Sequence, residues 1–260
     1  MVVQNRFFSV WFRRWGVSLA CLLAFFYMGV NTAWQKSATA DEPVHLTRGI
    51  VLAQGEDYRL QQEHAPLSHW LIGGFLRTER LPDVTEQNGW EEAERLWVAR
   101  GIFEESDLDV RRVVWLGRLP IVLVGVLLGG VMMRWAREMS GRAGQVAAAV
   151  LFAFSPNLIA HGVLATTDFV TAVSYTLSLY MLWRFWERPS WVNWGLAGIC
   201  LGLGLASKMT GLLLLPLTGL LSYGHLLFVR PYEWGRWRED FGQALWGFVR
   251  PTLIWLSFLP

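Results

Sequence analysis

Long apolar runs recur along this chain and alternate with short polar connections. Most are close to the roughly 20 residues with which an α-helix crosses about 30 Å of hydrocarbon. Only helices satisfy every backbone amide within one segment in lipid. The pattern therefore predicts an all-α, polytopic membrane protein with about seven transmembrane helices. The runs cover residues 15–34, 113–133, 144–160, 168–186, 191–206, 209–229 and 243–260.

Two of these runs need interpretation. The first follows Arg6, Arg13 and Arg14, as a signal peptide would, and Ala38-Thr39-Ala40 resembles a cleavage site. A signal's apolar core, however, is only about 7–15 residues long. We therefore interpret this longer run as a retained helix and keep cleavage as the alternative. The run 144–160 is broken by Ser155-Pro156-Asn157, which predicts a short helix that ends in a turn.

Charge is distributed very unevenly. Residues 35–110 carry 15 acidic and 7 basic side chains, a net charge of −8, while the rest of the chain carries 16 basic and 6 acidic ones, a net charge of +10. Basic residues collect in alternate connections, as expected for the cytoplasmic side of a membrane protein. We therefore expect residues 35–110 on the non-cytoplasmic side. The basic residues are Arg134, Arg137, Arg142, Arg184, Arg188, Arg230, Arg236 and Arg238.

The chain is thus expected to have four parts. These are a cytoplasmic N-terminus (1–14), the first transmembrane helix (15–34), a non-cytoplasmic loop (35–110), and about six further transmembrane helices (111–260). The loop is too long to be a simple connection. Its apolar stretch Leu67 to Leu76 is too short to span, which predicts an interfacial helix, and the charge spacing from Glu91 to Arg100 predicts another. Because the chain ends in an apolar run, we expect that it is cut from a longer protein.

Composition adds little beyond this picture. The sequence has 16 Trp and 15 Phe and only 17% charged residues, and Trp is favoured at membrane interfaces. Cys21 and Cys200 both lie in apolar runs and are interpreted as packing residues, with neither disulfide nor metal spacing. We expect membrane lipids as partners and no nucleic acid.

The first candidate for chemistry is the acidic pair Asp41-Glu42, just after the first apolar run, with His45 close behind. Such a pair can supply a general base or a ligand for a divalent cation. Adjacent carboxylates repel each other, so one must be held protonated or have a cation nearby. The alternative is a solvated acidic loop without a site.

A second candidate is the turn that begins at His64 and continues through Ala65, Pro66 and Leu67. Pro66 can occupy the first position of the helix that follows. His64 is then placed to bind a substrate or to orient a carboxylate. An ordinary polar turn before an interfacial helix is the alternative.

Three further candidates lie at the same predicted side of the membrane. Arg118 sits inside an apolar run, where a cation needs a partner, and a lipid phosphate suits its forked guanidinium. Asp168, preceded by His161, begins another run and can cap a helix or serve a site. Lys208 is the only charged residue between Arg188 and Arg230, and pairing with Asp168 or with a phosphate would stabilise it there.

In their order, these motifs resemble the GT-C fold glycosyltransferases, and specifically the group of protein O-mannosyltransferases and aminoarabinose transferases (glycosyltransferase family 39 and relatives). The resemblance rests on Asp41-Glu42 with His45, His64-Ala65-Pro66-Leu67, Arg118-Leu119-Pro120, the turn from His161 to Asp168, and Ser207-Lys208. It departs from the commoner His-Pro-Pro-Leu turn at Ala65. The later spans and the C-terminal soluble domain of that group have no counterpart in these residues, which leaves the acceptor undefined.

The resemblance implies an inverting transfer of a sugar from a polyprenyl-phosphate donor to a protein or lipid acceptor. Asp41 would be the general base, with Glu42 beside it as a catalytic residue. The substrate-binding residues would be His45, His64, Arg118, His161, Asp168 and Lys208. No metal ligand is assigned, although Asp41 and Glu42 could hold a divalent cation.

The site would face away from the cytoplasm at a bacterial inner (plasma) membrane. Two other functions stay open, a polytopic transporter and a non-catalytic membrane subunit or fragment of a glycosyltransferase. A transporter usually places polar residues near the middle of its spans, whereas here the mid-span positions are mostly apolar.

Overall fold

The computed structural model of this protein describes residues 2–55, 58–62 and 64–228, with the backbone alone for residues 2–14 and 226. These residues contain helices and no strand. The α-helices are α1 (Val2–Gln35), α2 (Glu42–Gln54), α3 (Leu67–Leu76), α4 (Arg95–Glu104), α5 (Val110–Ala153), α6 (Pro156–His161), α7 (Thr167–Glu187), α8 (Trp191–Leu205) and α9 (Leu214–Phe228), and two 3-10 turns cover Val84–Glu86 and Met209–Leu213. The chain divides into two compact units, residues 1–212 and 213–260.

Most of the predicted apolar runs within the described residues are helical. α1 and α7 cover the runs 15–34 and 168–186, and α8 covers the run 191–206 except for its last residue. The run 209–229 starts as a 3-10 turn and continues as α9. The run 243–260 and the basic residues Arg230, Arg236 and Arg238 are not among the residues that the structure describes.

Two helices in the described part of the chain are long and apolar enough to cross a membrane. They are Trp15–Gln35, within α1, and Val110–Ala153. The all-α prediction is confirmed for the described residues, which contain helices and no strand. The count of seven spans stays a prediction.

α5 is a helical hairpin that reverses direction at Gly141. This glycine has φ 66° and ψ −151°, a backbone conformation that residues with a Cβ rarely adopt. Residues on its two sides face each other. A Cβ at Gly129 would lie 2.6 Å from the ring of Phe152, and the Arg137 guanidinium donates to the Gln145 amide oxygen at 2.8 Å. The two arms therefore run antiparallel.

The arms correspond to the predicted runs 113–133 and 144–160. The second arm ends at Ala153, which confirms the short helix and the break at Ser155-Pro156-Asn157 that the sequence predicts. The Ser155 hydroxyl accepts from the Leu158 amide at 3.5 Å, and Pro156 takes the first turn of α6. This cap starts a new helix instead of continuing the old one.

The segment between α1 and α5 contains the predicted helix α3 with the expected bounds. The second predicted helix is α4, which begins at Arg95 and not at Glu91. The backbone turns just before it, where Gly89 and Ala93 have φ values of 82° and 57°. α2 is not predicted by the sequence, because its buried residues lie on all sides of the helix and leave no amphipathic period.

α2 and α3 approach each other unusually closely. A Cβ at Gly73 would lie 2.4 Å from the Gly49 carbonyl oxygen, and a Cβ at Gly49 would lie 2.6 Å from the Ile72 side chain. Two glycines at the crossing allow the backbones to touch. α2 also packs on α4 and α5, while α1 packs along α5. The close crossing places the N-terminal turns of α2 and α3 side by side.

The basic connections gather at the end of this unit away from those N-terminal turns. The Arg137 guanidinium lies 4.8 Å from the Trp15 ring, near the start of the first candidate span. The Tyr180 hydroxyl donates to Glu138 at 3.1 Å, and the Arg184 guanidinium donates to the same hydroxyl at 3.4 Å. The membrane topology, and the side of the membrane on which this group of residues lies, stay predictions.

Candidate functional site

The centre of the candidate site is a fully buried ion pair between Glu42 and Arg118. Their side chains are 0% and 1% exposed. Arg118 Nε donates to Glu42 Oε1 at 2.7 Å, and Nη2 donates to Oε2 at 2.6 Å. The pair is bidentate, the strongest arrangement for these groups, and it joins the first turn of α2 to the first arm of α5.

The remaining donors of Arg118 hold the C-terminal end of α1. Nη1 donates to the carbonyls of Ala33 at 3.0 Å and Lys36 at 2.7 Å, and Nη2 donates to Ser37 at 2.9 Å. A guanidinium has five N–H donors, and all five are used. Arg118 therefore has no donor left for a lipid phosphate, the role that the sequence suggests, and acts here as a cap of α1.

Glu42 accepts three more hydrogen bonds besides those from Arg118. Oε2 accepts from the Thr39 amide at 2.8 Å and the Thr39 hydroxyl at 3.1 Å, and Oε1 accepts from the Ala165 amide at 2.9 Å. Burial acts to raise the pKa of Glu42, but the hydrogen bonds from Arg118, Thr39 and Ala165 outweigh it and lower the pKa. Glu42 is a stable carboxylate that is already saturated by donors.

Asp41 has the opposite environment. It is exposed and occupies the N-cap of α2 without a side-chain capping bond. A negatively charged side chain at this position lies at the positive end of the helix dipole. Two neighbouring carboxylates thus have separate environments, because Glu42 is neutralised by Arg118 while Asp41 remains accessible from outside.

Three histidines lie directly behind the acidic pair. His45 Nδ1 and His69 Nε2 share a hydrogen bond of 3.0 Å, and the His64 ring centre lies 5.5 Å from that of His45. His69 is fully buried. His69 follows the predicted His64 turn by five positions, but its place on an apolar helix gives no functional signal in the sequence, so sequence reasoning misses it.

Both members of the hydrogen-bonded histidine pair are neutral at physiological pH. Burial, with smaller effects from Arg48 and His64, lowers the pKa of His45 to about 4, although Asp41 and Asp168 oppose the shift. Burial, with smaller contributions from His45, Arg48 and His64, also lowers the pKa of His69 well below its ordinary value.

The tautomers of this pair follow from burial. The Nδ1 atom of His69 is buried and has no hydrogen-bond partner among the described residues. An unpaired buried N–H donor is more costly than an unpaired acceptor. We therefore place the proton of His69 on Nε2, from which it donates to His45 Nδ1. His45 then carries its own proton on Nε2.

The predicted Asp168–Lys208 pair is present. Lys208 Nζ donates to Asp168 Oδ1 at 2.5 Å, and the two side chains are 28% and 68% exposed. The Lys208 hydrogen bond lowers the pKa of Asp168, with burial opposing it and His45 and His161 contributing. His161 is exposed at the end of α6. The Lys208 ammonium has two further hydrogens and remains available to an anion.

Backbone hydrogen bonds join the predicted motifs to one another. The Leu67 amide, in the turn after His64, donates to the Ala206 carbonyl at 3.0 Å, two residues before Lys208. The Ala165 amide, three residues before Asp168, donates to Glu42. The structure therefore brings together all eight residues that the sequence singles out, although their roles in binding and catalysis stay predictions.

Metal binding by the acidic pair is not supported by the geometry around it. Among the described residues, no group of three or more His, Cys, Asp or Glu side chains could hold a metal ion. Glu42 would have to release several of its five hydrogen bonds to serve as a ligand.

Comparison with protein families matches residues 110–256 to the family described as "Dolichyl-phosphate-mannose-protein mannosyltransferase". The match covers more than half of the 260 residues and confirms the family resemblance of the sequence motifs. It includes Arg118, His161, Asp168 and Lys208, and it begins after Asp41. No curated protein and no solved structure matches the chain with significance.

Proposed function

Because this chain belongs to the dolichyl-phosphate-mannose-protein mannosyltransferase family, a family of membrane glycosyltransferases, we propose that it moves a sugar from a polyprenyl phosphate to a protein or lipid acceptor. The observation that supports the proposal most is the difference between the environments of the Asp41 and Glu42 carboxylates. One carboxylate is saturated and structural, and its neighbour is exposed and free of hydrogen bonds within the described residues. A general base needs the second kind of environment.

In the proposed reaction, Asp41 takes the proton of an acceptor hydroxyl or amine. The acceptor atom then forms a bond to the anomeric carbon of the donor sugar from the face opposite the phosphate. The bond from that carbon to the phosphate oxygen breaks, and its electrons leave with the polyprenyl phosphate. The anomeric configuration is therefore inverted.

Lys208 is the cation that we assign to the departing phosphate. Its ammonium is partly exposed and makes one hydrogen bond within the described residues, to Asp168, so it can donate to a phosphate as well. His161, whose charge acts on Asp168, is a second donor at the same place. Arg118 is assigned a positioning role, because its hydrogen bonds fix the Ala33–Ser37 end of α1 and hold Glu42 directly beside Asp41.

His45 is proposed to act as a neutral donor in this site. With its Nδ1 occupied by His69, its Nε2–H is available to a sugar hydroxyl or to the Asp41 carboxylate. His69 then keeps His45 in one tautomer and orientation, because the hydrogen bond made by one ring nitrogen of a histidine determines the protonation of the other. The site is proposed to face the non-cytoplasmic side, where a lipid-linked donor can keep its tail in the bilayer.

The test uses membranes that contain the full chain and a polyprenyl phosphate carrying radiolabelled mannose. Asp41→Asn is expected to lower label transfer about 10²–10⁴-fold, the usual contribution of a general base, without changing the amount of inserted protein. Asp107→Asn is the matched control, because Asp107 is an exposed carboxylate of the same segment and should retain the wild-type rate.

Either of two results would count against the assignment. Transfer by Asp41→Asn at the wild-type rate would remove Asp41 as the base. No transfer by the wild-type chain with any polyprenyl-phosphate sugar or acceptor extract would favour the non-catalytic subunit. A transporter would instead move the labelled donor across sealed vesicles without forming a new labelled product.

A further inference from the structure

A groove runs between α1 and the first arm of α5, at the end of the unit opposite the candidate site. Its volume is about 280 Å³, and it is lined by Trp15, Ser18, Leu19, Leu22, Gly130 and Met133. Ala33 follows Trp15 by 18 positions in α1, a distance of about 27 Å along a helix. The groove is therefore close to one bilayer thickness away from the residues that surround Asp41.

The groove opens outward, towards the medium that surrounds the bundle. Both helices that form it contain candidate spans, so that medium is lipid when the chain is inserted. Leu19 is 39% exposed there. At Gly130, an added Cβ would meet nothing within 4 Å. The missing side chain of Gly130 therefore leaves room for a slender apolar group, such as an acyl chain.

A cation lies at the edge of this groove. The Arg137 guanidinium is 4.8 Å from the ring of Trp15. Its Nη1 donates to Gln145 at 2.8 Å, and Gln145 donates to the lining residue Ser18 at 2.7 Å. The side chain is thus fixed over the mouth of the groove by a ring contact and a hydrogen-bond chain.

This cation has no carboxylate partner among the described residues. The adjacent Glu138 accepts instead from Arg134 at 3.1 Å and from Tyr180. Residues 1–14, which precede Trp15, contain no Asp or Glu. A partly buried arginine at a membrane interface needs an anion, and a guanidinium matches a phosphate in geometry as well as in charge.

From this juxtaposition we propose that the groove binds an anionic phospholipid of the bilayer. One acyl chain lies against Leu19, Leu22, Gly130 and Met133, and the phosphate accepts hydrogen bonds from Arg137. The apolar lining alone fits any lipid tail, whereas Arg137 selects an anionic headgroup. The proposal concerns the end of the unit away from Asp41 and does not depend on the transfer reaction.

The test is native mass spectrometry of the full chain released from detergent, with phosphatidylglycerol or phosphatidylcholine of identical acyl chains added. The wild type is expected to retain phosphatidylglycerol in preference to phosphatidylcholine. Arg137→Ala should weaken the retention of phosphatidylglycerol about fivefold, as expected for one interfacial arginine, and remove the preference. Gly130→Phe fills the groove and should reduce the retention of both lipids.

Two control variants separate this site from general lipid attraction. Arg142→Ala removes an exposed cation at the same end of the unit, and Gly202→Phe fills an equally open position on α8. Both should bind as the wild type does. Equal loss in a control and its matched variant, or equal retention of the two lipids by the wild type, would overturn the proposal.

A second measurement remains decisive if Gly130→Phe fails to fold. Phosphatidylglycerol with a photoreactive diazirine in its acyl chain is added to the wild type, and the labelled peptides are identified. Labels are expected in 15–22 and 127–133. Labelling spread evenly over all apolar helices would overturn the proposal, as would displacement of the label by an equimolar polyprenyl phosphate, which would assign the groove to the donor lipid.

Discussion

Glu42 and Arg118 are two charges removed from water, and their stability depends on each other. All five groups that contact the Glu42 carboxylate are donors, so a glutamine there would direct its own N–H groups at other donors. Removing one partner of a buried pair costs about 3–5 kcal/mol, since it leaves the other charge uncompensated. We expect Glu42→Gln to lower the thermal unfolding midpoint of the purified chain clearly.

The control for that substitution is Glu79→Gln. Glu79 also accepts a bidentate pair from an arginine, Arg112, at 2.7 and 3.0 Å, but at the protein surface, where such pairs contribute little. Its variant should unfold near the wild-type temperature, and so should Asp41→Asn. Similar decreases in the unfolding midpoint for Glu42→Gln and Glu79→Gln would show that the buried Glu42–Arg118 pair stabilises the fold no more than the surface pair does.

At the scale of elements, the crossing of α2 and α3 determines where the histidines meet. His45 precedes Gly49 by one helical turn, and His69 precedes Gly73 by the same turn. The two helices therefore run in the same direction at this contact. The glycine crossing brings the backbones together, and one turn away the rings come within a hydrogen bond of 3.0 Å.

Gly73→Ala tests this dependence. The added methyl group would lie 2.4 Å from the Gly49 carbonyl oxygen, so the helices must separate at a cost of about 1–3 kcal/mol. We expect a lower unfolding midpoint and slower sugar transfer, measured on the same membrane preparation. Gly74→Ala is the matched control, because nothing lies within 4 Å of its added Cβ. If both variants behave as the wild type does, the crossing has no influence on the site.

The same elements show what the sequence can and cannot predict. α1, α3, α7 and α8 have long apolar runs or clear ends, and the sequence predicts each of them. α2 cannot be predicted from the sequence, since polar residues such as Thr47 and Arg48 are buried inside the protein beside aliphatic ones. An amphipathic period in a sequence indicates a helix with one face exposed to solvent. α2 has no such face, so its sequence shows no such period.

The sequence also does not show which residues far apart along the chain form ion pairs with each other. The candidate residues can be selected by type and by their predicted side of the membrane, and the structure does bring them together. Glu42 and Arg118, however, are 76 positions apart. A lone arginine in an apolar run indicates only that some anion must lie near it. Whether that anion is a substrate phosphate or Glu42 depends on the packing of α1, α2 and α5.

At the scale of the whole molecule, the buried histidines make stability depend on pH. In the unfolded chain His45 binds its proton near pH 6.5, whereas in the folded protein its pKa is about 4. Between these values the unfolded state binds more protons, so acidification favours unfolding. His69, whose pKa is also lowered, acts in the same direction. Stability is therefore fully present above about pH 6.5 and is lost as the pH falls towards 4.

The carboxylates change stability at a lower pH than the histidines do. The contributions of the two kinds of group can therefore be measured separately. The pKa values of Glu42 and Asp168 fall from ordinary values of 4.5 and 3.8, so the stability they add is lost only below those values. Unfolding midpoints of the purified chain are expected to drop between about pH 6.5 and 5, and His45→Gln combined with His69→Gln should flatten this drop. His161→Gln, which changes an exposed ring, should retain it. A wild-type midpoint that is constant over this range would mean that the histidine pair is open to water and can bind protons without unfolding.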